Sequence, residues 1–102
     1  MKRFLIHYTL LPDSGPVDAW NGQVRAFIQA LDADLELRGR IRYRCMKAHD
    51  RNEYFHLAEP LDDEAAKLLG ERDWFKRYTQ EMRRVGGASF EVLPLDTIAE
   101  TS

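Results

Sequence analysis

The chain has 102 residues, of which 44% are hydrophobic, 11% aromatic and 31% charged, a composition typical of a single globular domain. Fifteen Lys and Arg side chains oppose seventeen Asp and Glu side chains, and the net charge of −2 disfavours nucleic acid as a partner. A single cysteine and three scattered histidines form neither an internal disulfide nor a metal site, so we expect a reduced, cytoplasmic protein. No apolar run reaches the length of about eighteen residues that spans a membrane, and the N-terminus lacks a signal-peptide pattern.

The first half of the chain predicts a strand, a helix and a second strand. Residues 2–11 are rich in aromatic and branched side chains and end at the turn-like sequence PDSG, as expected of a strand. Pro16 fits the first turn of a helix that continues to about Asp34. Its apolar residues recur at steps of three and four: Val17, Trp20, Val24, Phe27, Ile28 and Leu31. Residues 40–48 alternate between apolar and charged side chains and therefore predict the second strand.

A polar segment, HDRN, predicts a hairpin tip after the second strand, and residues 53–59 predict the returning strand. Pairing across this tip is expected to place Arg44 near His56 and Cys45 near Phe55. Cys45 has the parity of Ile41 and Tyr43 in the second strand, so we expect it to behave as a small buried side chain. A nucleophilic role would need a base beside it, and His56 is expected on the other face.

The remaining sequence predicts a helical region and a last strand. Asp62 is a natural N-cap, Gly70 is expected to interrupt the helix, and Asp73 is expected to cap a new helix that stops at a pair of glycines. The sequence SFEVLPL over residues 89–95 predicts the last strand, followed by a tail. We therefore expect one domain over residues 1–102.

The order strand, helix, strand, strand, helix, strand predicts an α+β fold of the ferredoxin-like, split β-α-β type. In this fold a four-stranded antiparallel sheet carries its helices on one face. The first strand is apolar on both parities, with Phe4 and Ile6 on one and Leu5 and Leu11 on the other. The apolar side chains on the face without helices must also be buried, and we expect a second copy of the chain to stack on this face and form a homodimer.

Three segments resemble a known family: MKRFLIHYTLL, RYRCMKAHDRNEYFHLAE, and RDWFKRYTQEMRRVGG followed by SFEVLPL. They are similar to the dimeric α+β barrel superfamily, and in particular to the antibiotic-biosynthesis monooxygenases. The resemblance implies a homodimer whose two sheets form a barrel, with a cleft between helices and sheet in each subunit. The haem-degrading pattern is not matched, because its Asn, Trp and His fall at His7, Leu69 and Thr79. Trp74 stands where the oxygenase-like members often have a histidine.

The same resemblance implies two classes of function. The first is a cofactor-independent monooxygenase that acts on an aromatic or quinol-like small molecule, with no bound cofactor. The alternative is a non-catalytic dimeric protein with a ligand-binding or structural role. The sequence does not identify the ligand.

His7 is the candidate general base, since the pKa of an ordinary histidine lies close to neutral pH. A hydrogen-bonded histidine in the core or the interface is the alternative. If the even-numbered residues of the first strand pack on the helices, His7 shares the opposite face with His56 and Arg44. If the strand follows the family register, His7 faces the cleft toward Trp74 and Tyr78.

Four further residues are candidate ligand contacts. Trp74 and Tyr78 lie one helical turn apart and would form an aromatic wall for a flat ligand, although such spacing is also what a core requires. His56 is a candidate second acid or base, or the donor of a hydrogen bond between subunits. Arg44 ends a series of arginines at every second position from Arg38. These arginines would hold an anionic ligand, or be neutralised by glutamates across the sheet or the interface.

Overall fold

Four strands and three helices form along residues 2–102, the part of the chain that this computed structural model describes. The elements are β1 (Arg3–Thr9), α1 (Val17–Ala33), β2 (Ile41–Lys47), β3 (Glu53–Pro60), α2 (Asp63–Glu71), α3 (Asp73–Gly86), a 3-10 turn (Gly87–Ser89) and β4 (Glu91–Leu95). The strands form one antiparallel sheet in the order β2-β3-β1-β4. The predicted α+β ferredoxin-like fold is confirmed.

The helices form where the periodicity of the sequence predicts them. The buried side chains of α1 are Trp20, Val24, Phe27 and Leu31, spaced by three or four residues as in the predicted stripe. None of the helices within residues 2–102 is long and apolar enough to cross a membrane.

The corner between α2 and α3 differs from the prediction. Asp62 does cap α2, since its carboxylate accepts a hydrogen bond from the N–H of Ala65 at 2.8 Å. The break, however, falls at Arg72 rather than at Gly70, and Asp73 is the first residue of α3 rather than its cap. The Arg72 guanidinium donates hydrogen bonds to the Asp34 carboxylate at 2.8 and 3.2 Å. This long-range ion pair ties the corner to the end of α1.

The even-numbered residues of β1 face the helices. Ile6 is 7% exposed and Tyr8 is fully buried, whereas Leu5 and His7 project from the opposite side. We call the two sides of the sheet the helix face and the open face. A Cβ atom at Gly86 would lie 2.8 Å from the Cβ atom of Tyr8, so only glycine lets the end of α3 contact β1 this closely.

The register of the β2–β3 hairpin is shifted by one residue from the prediction. Arg44 lies opposite Leu57, and Cys45 lies opposite His56. The N–H of Ala48 bonds to the carbonyl of Glu53, so the tip is the predicted four-residue segment HDRN, and a tip of this length aligns Arg44 with Leu57 rather than with His56. Since side chains alternate along a strand, a shift of one residue moves a side chain to the other face.

Candidate functional site

An apolar cleft lies between the helix face of the sheet and the helices α2 and α3. Its volume is about 250 Å³. The sheet contributes Ile6, Ile41 and Ala58 among others, and the helices contribute residues such as Ala66, Leu69 and Phe75. Only three polar side chains border it, those of Tyr43, Thr79 and Arg83. Ligand pockets typically combine a mostly apolar lining with a few polar groups that fix the orientation of the ligand.

The three polar side chains of the cleft have different chemical capacities. The Thr79 hydroxyl is buried and has no hydrogen-bond partner among residues 2–102. Burial raises the pKa of Tyr43 far above its ordinary value, so its hydroxyl stays protonated. The exposed Arg83 places its guanidinium carbon 5.0 Å from the centre of the Phe90 ring, at the edge of the cleft. The cleft can therefore hold a flat apolar molecule, hydrogen-bond one oxygen atom and attract a negative charge.

A buried hydrogen-bonded network lies beside the cleft on the same face of the sheet. The indole N–H of Trp20 donates to the Tyr8 hydroxyl oxygen at 2.8 Å, and this oxygen lies 2.7 Å from Nε2 of His56. Burial lowers the pKa of His56 to about 4, so the ring is neutral at pH 7. The direction of the Tyr8–His56 hydrogen bond depends on the tautomer of His56: when the Tyr8 O–H donates to Nε2, the proton of the neutral ring lies on Nδ1. This Nδ1 has no partner in the described part of the chain.

His7 lies outside the cleft, on the open face. Its Nε2 atom is 2.7 Å from the Glu53 carboxylate, its Nδ1 atom is 3.3 Å from the Glu91 carboxylate, and its ring stacks on Phe55 at 4.8 Å. The hydrogen bond from His7 lowers the pKa of Glu53. Of the two predicted orientations, the one toward Trp74 and Tyr78 is therefore wrong.

The expected grouping of His7, His56 and Arg44 on one face is only half correct. Arg44 does lie on the open face, but His56 lies on the helix face beside Cys45, because of the one-residue shift of the hairpin. Burial raises the pKa of Cys45 to about 12, so the thiol stays protonated at neutral pH. The neighbouring His56 therefore does not make Cys45 a nucleophile.

Trp74 and Tyr78 line a shallow groove between α1 and α3 rather than the cleft. The Tyr78 ring is buried and stacks on Phe27 at a centroid distance of 4.1 Å, with Trp20 at 5.9 Å on another side. Trp74 is partly exposed, with its ring 5.9 Å from Phe27. The packing of Tyr78 is that of a core residue, which was the alternative to an aromatic wall.

Sequence reasoning did not identify the polar side chains of the cleft as candidates. Thr79 and Arg83 lie four residues apart on α3, beside the apolar stripe of that helix, and this spacing was a usable signal. Tyr43 was placed correctly among the apolar residues of β2, but nothing in the sequence showed that it borders a cavity. No cluster of three or more potential metal ligands occurs within residues 2–102.

Comparisons with known proteins place the fold. No family model matches the chain, and no curated protein matches it. Among solved structures, an antibiotic biosynthesis monooxygenase is similar at 12% identity with a TM-score of 0.76, over 97% of this chain and 100% of the other. SnoaB, a cofactor-independent oxygenase from Streptomyces nogalater, is similar at 13% identity with a TM-score of 0.74, and the match covers 97% of this chain and 94% of SnoaB.

A third similar structure is a dimeric ferredoxin-like protein of unknown function from Jannaschia sp. CCS1. It is 17% identical with a TM-score of 0.68, over 95% of this chain and 100% of the other. At such low identities the likeness concerns the fold and not the activity. The chain therefore has the α+β ferredoxin-like fold of the antibiotic biosynthesis monooxygenase-like proteins, over nearly its whole length.

Proposed function

We propose that the chain is a small monooxygenase-like enzyme that binds a phenolic or quinol-like aromatic molecule in the apolar cleft and oxidises it with dioxygen. The observation that carries this proposal is the cleft itself. Its apolar walls surround a buried, unpartnered Thr79 hydroxyl, and Arg83 stands at its edge.

The size and lining of the cleft favour a molecule of a few fused rings. A volume of about 250 Å³ is small for a ligand pocket and excludes bulky substrates. Apolar ring surface that leaves water contributes about 25 cal/mol per Å² to binding. A ring carrying one hydroxyl can also supply the hydrogen bond that Thr79 lacks.

The polar groups support oxidation of an electron-rich anion. A substrate hydroxyl that loses its proton becomes a phenolate, and the guanidinium of Arg83 stabilises the negative charge in these apolar surroundings. No His, Asp or Glu is among the residues that line the cleft, so the proton passes to water at the open edge.

The oxidation balances without any reductant other than the substrate. When a ring methylene becomes a carbonyl, its carbon loses both hydrogens and bonds to one oxygen atom of dioxygen. The other oxygen atom leaves with the two hydrogens as water. The substrate therefore supplies all of the electrons that reduce dioxygen.

The similar solved structures support this proposal at the level of the fold. One is described as an antibiotic biosynthesis monooxygenase and another as a cofactor-independent oxygenase. The proposed class of reaction comes from those proteins, and the proposed substrate class comes from the cleft of this chain.

The open face of the sheet supports a homodimer. Leu5, Phe55 and Leu57 project from it, and Leu93 and Leu95 on β4 are 41% and 38% exposed. Among these apolar residues lie paired charges, including the Arg3–Glu59 pair at 2.7 Å. Large apolar patches rimmed by polar groups are typical of protein interfaces. We propose that a second copy stacks on this face, and the similar dimeric protein from Jannaschia supports this assembly.

We propose further that His7 belongs to this interface rather than to the reaction. Both of its ring nitrogens lie within 3.3 Å of glutamate carboxylates, and the sheet itself separates it from the cleft. This is the role of an interface histidine, the alternative to a general base.

One observation favours the second class of function, a non-catalytic ligand-binding protein. The lining of the cleft offers no group that can act as a general base at neutral pH. A dimer that binds an aromatic molecule without converting it would have the same apolar walls.

The experiment uses anthrone, whose enol tautomer carries a phenolic hydroxyl and whose ring methylene is oxidised to a carbonyl. We expect the protein to accelerate oxygen uptake and formation of anthraquinone, and Ala66→Leu, which fills the cleft, to reduce both at least tenfold. Ala19→Leu adds the same bulk at an exposed position on α1 and should leave the rate unchanged. Arg83→Gln should lower kcat, whereas Arg77→Gln, on the same helix but outside the cleft, should not.

Two results would decide against parts of the proposal. Binding of anthrone by tryptophan fluorescence, with oxygen uptake no faster than in buffer, would establish the non-catalytic alternative. If Ala66→Leu leaves both binding and turnover unchanged, the cleft is not the site.

A further inference from the structure

A second cavity lies on the other side of Tyr43, between α1 and the free edge of β2. We call it the α1–β2 groove. Its volume is about 590 Å³, more than twice that of the cleft. Val24 and Ile28 of α1 and the rings of Tyr43 and Tyr54 form an apolar floor. Because β2 is an edge strand, the groove is open to solvent along its length.

The polar rim of the groove is positively charged. Arg25 projects from α1, and Arg44 and Lys47 project from β2. No Asp or Glu is among the lining residues, and neither arginine forms an ion pair within residues 2–102. By contrast, Arg3 and Arg72 are paired at 2.7 and 2.8 Å. The local positive charge is notable in a chain whose net charge is −2.

The remaining polar groups of the groove also present donors. The Tyr54 hydroxyl donates to the side-chain oxygen of Asn21, which fixes the amide and leaves its amide hydrogens free to donate. Lys47 donates one hydrogen bond to the carbonyl of Ala48 at 2.9 Å, and two ammonium protons remain. A cavity that offers several donors and two unpaired guanidinium groups selects an acceptor that carries negative charge.

We propose that the α1–β2 groove binds the carboxylate of an amphipathic organic acid whose apolar body lies on the floor. The fork of an arginine matches a carboxylate with two parallel hydrogen bonds, and charge-assisted bonds of this kind are the strong ones. Arg25 on α1 and Lys47 on the helix face of β2 border the groove on one side, and Arg44, on the open face of β2, borders it at the free edge. We therefore expect the carboxylate to bind at this edge. This site is separate from the cleft and does not depend on the proposed oxidation.

The test is calorimetric titration of the full-length protein with decanoate and with 1-decanol, which has the same apolar body but no charge. We expect decanoate to bind at least tenfold more tightly at low salt. The Arg25→Gln/Arg44→Gln double variant should abolish this preference. Arg38→Gln/Arg42→Gln removes two exposed, unpaired arginines outside the groove and should retain it.

Two further variants separate the groove from the cleft and guard against misfolding. Ala66→Leu, which fills the cleft, should leave decanoate affinity unchanged. Gln29→Glu adds a carboxylate to the rim. It should lower the affinity for decanoate at least fivefold and leave the affinity for 1-decanol unchanged. Equal affinity for decanoate and 1-decanol overturns the proposal, and so does loss of decanoate binding in Ala66→Leu with no loss in the arginine double variant.

Discussion

The two faces of the sheet differ in burial and polarity, although their residues alternate along the same strands. The helix face buries Ile6 and the hydrogen-bonded group of Tyr8 and His56 beneath the helices. The open face presents Leu5 and His7 in a setting of ion pairs that remain in contact with water. The difference shows that the fold of one chain is determined mainly on the helix face, while the open face is available for assembly. The predictions below separate these two roles.

The largest expected effect comes from adjacent residues of β1 that point to opposite faces. Ile6→Ala removes buried volume from the core, and we expect it to lower the free energy of unfolding by about 3 kcal/mol. Leu5→Ala should lower it by less than about 1 kcal/mol, because the side chain is only partly buried in one chain, but should weaken dimerisation about tenfold. Urea titration measures the first quantity, and sedimentation velocity over a range of concentrations measures the second.

Equal losses of stability in both variants, with no change in assembly, would contradict this division of roles. A chain that remains monomeric at all concentrations would refute the homodimer itself.

The next effect concerns the buried histidine of the helix face. Burial places the pKa of His56 at about 4, below the ordinary value of 6.5 in the unfolded chain. The unfolded chain therefore binds the additional proton first as the pH falls, and the stabilisation present above pH 6.5 is progressively lost toward pH 4. We expect the free energy of unfolding to fall by about 2 kcal/mol between pH 7 and pH 5.

Urea titrations at these two pH values measure this loss, and His56→Leu should remove most of it. His49→Leu, which changes an exposed histidine at the hairpin tip, is the matched control and should retain it. An unchanged pH dependence in the His56 variant would show that the buried ring is not its source.

The smallest effect is expected on the open face. His7→Ala removes the contacts to Glu53 and Glu91, and solvent-screened pairs of this kind contribute little to stability. We expect anthrone-dependent oxygen uptake per subunit to be unchanged and only dimer affinity to fall. Loss of oxygen uptake in an intact dimer would instead restore His7 as a catalytic residue.

The fold was predictable because its signals are local. The stripe of α1, the cap at Asp62 and the alternation in β2 each follow from a few neighbouring residues, and all three occur in the structure. The corner at Arg72 was not predictable, since that residue is held by Asp34, which lies 38 positions away in the sequence.

The site was less predictable because it depends on register and packing. The register of the β2–β3 hairpin, one residue away from the expected pairing, separates His56 from Arg44 and places it next to Cys45. The polar residues Thr79 and Arg83 border the cleft only because α3 packs on the sheet. The histidines were the candidate bases in the sequence, whereas no histidine lines either cavity: the cleft is mainly apolar, and the α1–β2 groove has an apolar floor with a polar, basic rim.

The contact between Gly86 and Tyr8 links the end of α3 to the buried His56 network. A Cβ atom at position 86 would collide with the backbone-proximal atoms of Tyr8, which cannot move without displacing the strand. An alanine at position 86 should therefore displace Tyr8 and weaken the hydrogen bond between Tyr8 and His56.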